Sequence, residues 1–333
     1  MAVKRNTSID FLRCLAAVAV VVYHVLGSSA NNDPQALPQM QQVISAISDT
    51  LLWHVPVFFM MTGYLWLREG KACTLQKMLP NIRRFVLVLV TIGFAYAVME
   101  RFFVTRRISG SLIIGGISDV LTGRLWDHMW YVYAIIGIYL ILPILKIVFA
   151  NGSERDLGYL VALLFVFSIL VPLTEQTTGY KFPVGLEVSA PLFYVCAGGW
   201  LSGRKQNINA GIPLGIFLIS CTAAFITSRF FAGYEAWQNL LKSISAVSLF
   251  TAFHAMGSWN MELPFIRTFS DCTFGIYLFH PLLINIMIKL LHIYPLRYNP
   301  LISLPTVCVG IVGLSFAVTH ALRRSPWVRK YIL

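Results

Sequence analysis

The sequence predicts an all-α, polytopic integral membrane protein with about ten transmembrane helices, built as a single domain over residues 1–333. Of its 333 residues, 57% are hydrophobic and 12% are charged, and the mean hydropathy is +0.70. Apolar runs of about 20 residues, the length that crosses a hydrocarbon core of ~30 Å, recur along the whole chain. A soluble protein cannot bury that much apolar surface, and no hydrophilic stretch is long enough for a separate soluble domain.

The net charge and the cysteines argue against other classes of protein. The charge of +12 comes from basic residues that cluster beside apolar runs. This placement is typical of signals that orient a membrane protein, so we expect the lipid bilayer, and no nucleic acid, as a partner. The six cysteines have no CxxC spacing, and most lie inside apolar runs. They indicate neither a disulfide framework nor a metal site.

The first predicted span covers Ser8–Gly27. Its start resembles a signal peptide, but the apolar run is too long and contains two charged residues, so we interpret it as an uncleaved helix. The second span, residues 43–67, contains Pro56, which should kink it. A third span ends near Val104, and Arg106–Asp127 is expected to form an amphipathic helix on the membrane surface. The other spans are placed at 130–149, 157–173, 188–203, 210–230, 238–257, 272–292 and 300–322.

The basic residues predict that both termini are cytoplasmic. In that orientation the inner side carries Lys4, Arg5, Arg68, Lys71, Lys77, Arg83, Arg84, Lys146, Arg155, Arg204, Lys205, Arg267, Arg323, Arg324, Arg329 and Lys330. The outer side carries Arg101, Arg106, Arg107, Arg124, Lys181, Arg229, Lys242, Lys289 and Arg297. Much of the outer charge lies in the connector Arg101–Arg124, where binding of an anionic partner is an alternative explanation.

Three polar residues interrupt the first span, namely Asp10, Arg13 and His24. Arg13 and His24 are eleven positions apart, which is three helical turns with an offset of roughly 20°, so both lie on one face ~16 Å apart. Asp10 falls within about 60° of that line. Two interpretations stay open. Asp10 and Arg13 extend to the membrane surface while His24 is a satisfied core group, or the three residues form a functional site, as ionisable groups inside membranes generally do.

A second polar stretch is Val55–Tyr64. Within it, Pro56 interrupts the helical hydrogen-bond ladder, and Thr62-Gly63 allows another backbone to approach closely.

Two later stretches also place polar groups at or inside spans. His128-Met-Trp130-Tyr131 begins the fourth span, and it fits either a substrate contact or an interfacial aromatic anchor. In the stretch Ser270–Pro281, Tyr277 and His280 are three positions apart and therefore lie on one side of a helix.

Taken together, these motifs resemble the acyltransferase 3 family of membrane acyltransferases. Arg13 and His24 match its pattern of Arg, ten residues, then His, and Val55–Tyr64 matches V-P-x-F-F-x-x-S-G-Y with Thr62 in place of the serine. The family's H-x-W-[FY] and late S-x-x-x-[FY]-x-x-Y-L-x-H motifs are matched by His128–Tyr131 and Ser270–His280. The motifs follow the family's order from end to end. The chain is most similar to the O-acetylases that decorate bacterial O-antigen and other envelope polysaccharides.

The resemblance implies that an acetyl group passes from cytoplasmic acetyl-coenzyme A to a sugar hydroxyl of a lipid-linked or periplasmic polysaccharide, such as lipopolysaccharide O-antigen. The location it implies is the bacterial inner membrane. In this interpretation His24 is the general base or a transient acyl carrier, since an imidazole titrates near neutrality. Asp10, Tyr277 and His280 are the other candidate catalytic residues, although a structural role for Tyr277 and His280 stays open.

Arginine's planar fork suits the phosphates of coenzyme A, so the candidate donor-binding residues are Arg13, Arg68, Arg83 and Arg84. Arg13 is interpreted either as a phosphate ligand or as a gate, with Asp10 as its ion-pair partner. The candidate acceptor-binding residues are Thr62, His128 and Trp130. Four other histidines have no motif support and are expected to be structural: His54, His254, His292 and His320.

A different class of protein remains as an alternative. A secondary transporter or a glycolipid flippase would use the buried Asp, Arg and His groups as a proton relay. Against a transporter, no paired repeats and no matched broken helices are visible in the two halves of the sequence.

Overall fold

The protein is all-helical in a computed structural model that describes residues 6–106, 110–183, 188–204, 208–231, 233–257 and 264–333. Four of the basic residues used to predict the orientation, Lys4, Arg5, Arg107 and Lys205, lie outside the described residues. The helices in chain order are α1 (Thr7–Asn32), α2 (Pro38–Asp49), α3 (His54–Trp66), α4 (Leu75–Val88), α5 (Phe94–Thr105), α6 (Gly110–Thr122), α7 (Trp130–Asn151), α8 (Glu154–Phe165), α9 (Val171–Thr178), α10 (Ala190–Ser202), α11 (Gly211–Phe230), α12 (Glu235–Ala255), α13 (Pro264–Asn285), α14 (Pro300–Leu322) and α15 (Pro326–Tyr331).

Three wider, π-helical turns extend or connect these helices. The turn at Leu89–Gly93 joins α4 to α5, the turn at Val166–Leu170 joins α8 to α9, and the turn at Ile286–Leu290 extends α13. In each of these turns the backbone stays hydrogen-bonded, with a wider spacing between donor and acceptor than in the α-helix. Two short 3₁₀ turns, Asp127–Met129 and Pro295–Arg297, precede α7 and α14.

The prediction of a polytopic helical membrane protein is confirmed. Eight helical segments in the described ranges are long and apolar enough to cross a membrane, and each coincides with a predicted span. The other two predicted spans, 188–203 and 238–257, are also helical. However, α10 has only 13 residues, too short for a ~30 Å core, and α12 carries Glu235, Lys242 and several serines along its 21 residues.

The second predicted span differs from the expectation in its interior. We expected a kink at Pro56, but α2 ends at Asp49 and α3 begins at His54. Pro56 therefore lies in the first turn of α3, where its missing N–H group removes no helical hydrogen bond.

The chain divides into two compact units, and the prediction of a single domain is left open by this division. Unit 1 comprises Met1–Arg68 and Gly152–Ala321, and unit 2 comprises Glu69–Asn151 and Leu322–Leu333. Unit 2 is therefore inserted between α3 and α8 of unit 1.

In unit 1, α1 is packed on several sides. An apolar layer joins it to α13 and α14, with Val21 and Val25 of α1 against Ile276 and Ile284 of α13 and Ile311 of α14. Helices α2, α3 and α12 also contact α1. This surrounded position explains why 14 of its residues are buried, including Asp10.

Helices α3 and α10 of unit 1 cross with their backbones in contact. A Cβ atom added to Gly63 would lie 1.8 Å from the carbonyl oxygen of Val195, and one added to Gly198 would lie 2.0 Å from that of Met60. Only glycine allows two helices to approach this closely. The close approach expected at Thr62-Gly63 is thus confirmed.

In unit 2, α5 packs against α6, and α4 packs against α7. The Arg101 guanidinium donates two hydrogen bonds to the Asp119 carboxylate of α6, the Nη2–Oδ1 distance being 2.7 Å. This contact holds the pKa of Asp119 below its usual value, chiefly through the hydrogen bond from Arg101. Arg101 is therefore partnered within the chain rather than kept for an external anion.

Loops predicted to lie on the same side of the membrane meet in unit 1. Asp33, after α1, pairs with Arg297, before α14, at 3.2 Å, and both are on the predicted outer side. Arg204, after α10, pairs with Glu154 at the start of α8 on the predicted inner side. These contacts agree with the predicted grouping of the loops, while the orientation itself stays a prediction.

Candidate functional site

A row of aromatic and imidazole rings crosses the interior of unit 1. The ring centroids of His24 on α1 and His280 on α13 are 5.0 Å apart. Tyr23 lies beside His24 at 5.2 Å, and its other neighbour is His54 on α3, at 5.3 Å. On the far side of His280, Tyr277 is 6.3 Å away. Three helices that are distant in sequence thus bring three histidines and two tyrosines into one continuous row, called here the histidine row.

The two central histidines have matching hydrogen bonds. Nδ1 of His24 lies 2.9 Å from the carbonyl oxygen of Val20, and Nδ1 of His280 lies 3.0 Å from that of Ile276. A carbonyl oxygen only accepts, so Nδ1 of each ring carries the proton and donates. In the neutral ring the basic lone pair is then on Nε2. Each helix therefore fixes the tautomer that a general base requires.

The burial of the two histidines differs. His280 is fully buried, whereas His24 is partly accessible. His24 is therefore the more accessible member of the pair. Sequence reasoning identified both residues but not their contact, because 256 positions separate them in the chain.

Asp10 links α1 to α13 at another point. It is buried, and its Oδ1 atom accepts a hydrogen bond of 2.8 Å from the hydroxyl of Ser270. The expected ion pair with Arg13 is not formed among the described residues. Arg13 is partly buried, and within the described ranges it makes neither a hydrogen bond nor an ion pair. Asp10 therefore positions α1 against α13, and the Arg13 guanidinium retains its capacity to bind an anion.

The remaining unit 1 candidates take more local positions. Tyr277 is buried and stacks on Phe274 at 6.0 Å. The Thr62 hydroxyl donates to the carbonyl oxygen of Phe58 in its own helix. Since that bond occupies the hydroxyl proton, Thr62 acts in the structure as a helix residue beside the Gly63 crossing. Arg68, at the end of the first segment of unit 1, is partly exposed.

His54 is the histidine of the histidine row that no sequence motif identified. It was expected to be structural, but it is only 4% exposed, and neither ring nitrogen has a hydrogen-bond partner among the described residues. Leaving a buried polar atom unpaired costs about 1–3 kcal/mol. The ammonium group of Lys242 on α12 lies close enough to act electrostatically on it. An ionisable residue inside an apolar span was the signal that could have identified it.

The other candidates lie in unit 2. Arg83 is exposed, and Arg84 donates from Nε to the carbonyl oxygen of Ile332 at 3.2 Å. Arg84 is thus hydrogen-bonded to the segment that follows α14, and this contact argues against a role for Arg84 in binding a phosphate of coenzyme A. His128 is buried in the 3₁₀ turn before α7, whereas Trp130 is 51% exposed, as an interfacial anchor would be.

Around His128, unit 2 forms a second aromatic group. Tyr96 and Trp126 stack at 4.3 Å with an interplanar angle of 18°, and their rings lie 6.0 and 6.2 Å from that of His128. The indole N–H of Trp126 donates to Glu100 at 3.1 Å. Because Tyr96 is buried against Trp126, this group packs around the turn that carries His128.

Comparison with known proteins places the chain in a family. The family model described as "Acyltransferase domain", acyltransferase 3, matches residues 6–320. An amino-acid racemase of Enterococcus faecalis is 24% identical over 337 residues, which cover 93% of this chain and 45% of that protein. The chain thus spans less than half the length of this relative. No solved structure matches it. Because the family model covers nearly the whole chain, this protein is a member of the acyltransferase 3 family.

Proposed function

We propose that this membrane acyltransferase is an O-acetyltransferase that moves acetyl from cytoplasmic acetyl-coenzyme A to a sugar hydroxyl of a bacterial envelope polysaccharide such as lipopolysaccharide O-antigen. Its location would be the inner membrane. The contact between His24 and His280 is the observation that supports this function most directly. It provides a basic nitrogen inside an apolar bundle, at the end of the Arg13 face.

The proposed chemistry uses His24 as the base. A sugar hydroxyl is a poor nucleophile, so its proton has to leave as its oxygen attacks the thioester carbon. Nε2 of His24 accepts that proton, the carbon–sulfur bond breaks, and the proton passes to the departing thiolate of coenzyme A. The same nitrogen would instead carry the acetyl group transiently if the two substrates bind in turn.

His280 and Tyr277 would support this step from α13. His280 is fully buried, and its ring centroid is 5.0 Å from that of His24. A state in which both imidazoles are positively charged is therefore disfavoured, because two adjacent cations repel each other strongly in an apolar interior. The pair would thus keep one neutral ring available as base. Tyr277, next to His280, is a candidate donor to the oxyanion.

Arg13 is the best-suited donor ligand among the four arginines considered. Its guanidinium is partly buried and makes no hydrogen bond or ion pair within the described ranges, and it shares a helical face with His24. A phosphate bound there in the bidentate mode would lie ~16 Å along the helix axis from the base. An extended pantetheine arm spans a separation of this kind. Arg68 of the same unit remains a candidate ligand for another phosphate of coenzyme A.

The decisive experiment is turnover of acetyl-coenzyme A by the purified protein, combined with mass spectrometry of surface polysaccharide from cells with and without the gene. We expect His24→Ala to abolish acetyl transfer and leave membrane insertion unchanged, because alanine inserts more readily than histidine. The matched control is His320→Ala, an exposed histidine on α14 of the same unit, which should retain activity. Near-normal activity of inserted His24→Ala would refute the assignment. If the protein were a transporter or a flippase, neither the parent nor the variants would consume acetyl-coenzyme A.

A further inference from the structure

Unit 1 has a polar groove where the ends of α2, α11 and α12 meet. Its volume is about 410 Å³, within the usual range of small-molecule sites of ~300–1,000 Å³. Gln42 and Ser45 of α2 line one side, and Arg229, Phe231, Tyr234 and Glu235 line the other. No residue predicted from the sequence to belong to the catalytic or binding site is among them.

A small inner cavity of about 10 Å³, room for one water molecule, adjoins this groove through the shared side chain of Tyr234. Asp49 and Lys242 both line it. They do not pair with each other. The Asp49 carboxylate accepts hydrogen bonds from Ser228 at 2.5 Å and Gln238 at 2.9 Å. The Lys242 ammonium donates to the amide oxygen of Asn239 at 2.7 Å.

The inner cavity lies beside the start of α3, the helix that carries His54 of the histidine row. Trp53, which lines the cavity, directly precedes His54 in the chain. His54 in turn contacts Tyr23, and Tyr23 contacts His24. Ring contacts thus connect His54, at the start of α3, to the proposed base on α1. Buried polar groups of this kind are costly in a membrane protein unless they serve a function.

The lining indicates the class of ligand. Arg229 and Glu235 contribute one charge of each sign to the groove, and Asp49 and Lys242 do the same in the inner cavity. The net charge of the lining is therefore zero, which disfavours a phosphate or another anion. Exposed aromatic rings beside hydroxyl, amide and carboxylate groups favour a neutral ligand with an apolar face and several hydroxyls.

We propose that the polar groove binds a neutral sugar unit of the acceptor glycan and presents the chain to the histidine row. This inference rests on the proposed transfer to a glycan and adds to it the place where the glycan is held. The groove lies beside Gln42 and Arg229, both predicted to be on the outer side of the membrane. The acceptor would thus arrive from the side opposite to acetyl-coenzyme A.

The test is binding of soluble methyl glycosides of glucose, galactose, mannose, rhamnose and N-acetylglucosamine to the full-length protein, measured by saturation-transfer NMR titration. The protein carries His24→Ala so that no chemistry intervenes. Adding the double substitution Gln42→Ala/Glu235→Ala removes an amide and a carboxylate from the groove and should weaken binding of each bound glycoside about tenfold. The matched control is Gln39→Ala, an exposed residue of α2 that does not line the groove.

The proposal is supported if the double variant loses glycoside affinity while Gln39→Ala does not and all proteins bind acetyl-coenzyme A equally. It is overturned if no glycoside binds, if the double variant binds as its parent does, or if only a sugar phosphate such as glucose 1-phosphate binds. Turnover of acetyl-coenzyme A by the unmodified enzyme tests the proposed function separately. Glycoside binding in the groove without such turnover would refute the transferase and leave the sugar site standing.

Discussion

The backbone contact between α3 and α10 makes Gly63→Ala a sharp test of the structure. The added methyl carbon would lie 1.8 Å from the Val195 carbonyl oxygen, whereas ordinary contacts begin near 3.4 Å. Because the obstacle is backbone, no side chain can rotate away. The two helices would have to separate by about 1.5 Å, or α10 would have to shift along α3.

The expected cost follows from two opposing effects. Overpacking a well-filled interior costs about 1–3 kcal/mol, and a rigid backbone obstacle belongs at the upper end of that range. Replacing a helical glycine with alanine returns about 1 kcal/mol of helix propensity. The net destabilisation is therefore about 2 kcal/mol, which at an unfolding entropy of ~2.1 cal/mol/K per residue corresponds to a fall in the unfolding temperature of about 3 °C for a chain of 333 residues.

The assay is thermal unfolding of the detergent-solubilised protein, followed by size-exclusion chromatography of heated samples. The matched control is Gly215→Ala on α11, where an added Cβ meets no atom within 4 Å. That variant should be as stable as the parent or slightly more stable. If Gly63→Ala unfolds at the parent temperature while Gly215→Ala behaves as expected, the backbone crossing described here is incorrect.

Three other predictions concern charge and orientation. Arg13→Lys keeps the charge but loses the bidentate fork, so the Michaelis constant for acetyl-coenzyme A should rise roughly ten- to a hundredfold at unchanged protein level; an unaltered constant would make Arg13 an anchor. A reporter fused after Leu333 should be cytoplasmic and a tag within Ser28–Gln42 should be labelled from outside, whereas termini on opposite sides would require an odd number of spans. The lowered pKa of Asp119 means that its pair with Arg101 stabilises unit 2 fully above the unfolded-state pKa of about 3.9 and loses that effect as the pH falls through the lower folded-state value. The stability difference between parent and Asp119→Asn, no more than about 1 kcal/mol for a pair with an exposed arginine, should therefore begin to shrink as the pH falls below about 4 and disappear once the pH is below the folded-state pKa; a difference of the same size at pH 7 and at pH 2 would contradict this account.

The fold class could be predicted because hydropathy acts locally, residue by residue, along each span. The length of α10 could not be predicted in this way, because residues 188–203 are as apolar as a helix that crosses the membrane. The helix is Ala190–Ser202, and its close packing through Gly198 against α3 depends on a distant part of the chain. Likewise, the break between α2 and α3 precedes Pro56, although proline was the only local signal for a change of direction.

The candidate site was predictable to the extent that its residues belong to motifs. His24, His280 and Asp10 were identified individually, but the contacts of His24 with His280 and of Asp10 with Ser270 depend on how α1 packs against α13. His54 belongs to no motif, and its importance comes only from its burial beside Tyr23. A single sequence does not record such contacts between distant helices.

The insertion of unit 2 between α3 and α8 has a consequence for biogenesis. Helix α3 enters the membrane about 120 residues before its partner α10 is synthesised. At ~5–20 residues per second, this interval lasts about 6–25 s. During that time the glycine face of α3 is exposed to lipid and to the small-residue faces of other newly made helices. Nascent chains arrested before residue 190 should therefore show α3 crosslinked to insertion machinery, and chains released after α10 should show α3 crosslinked to α10 instead.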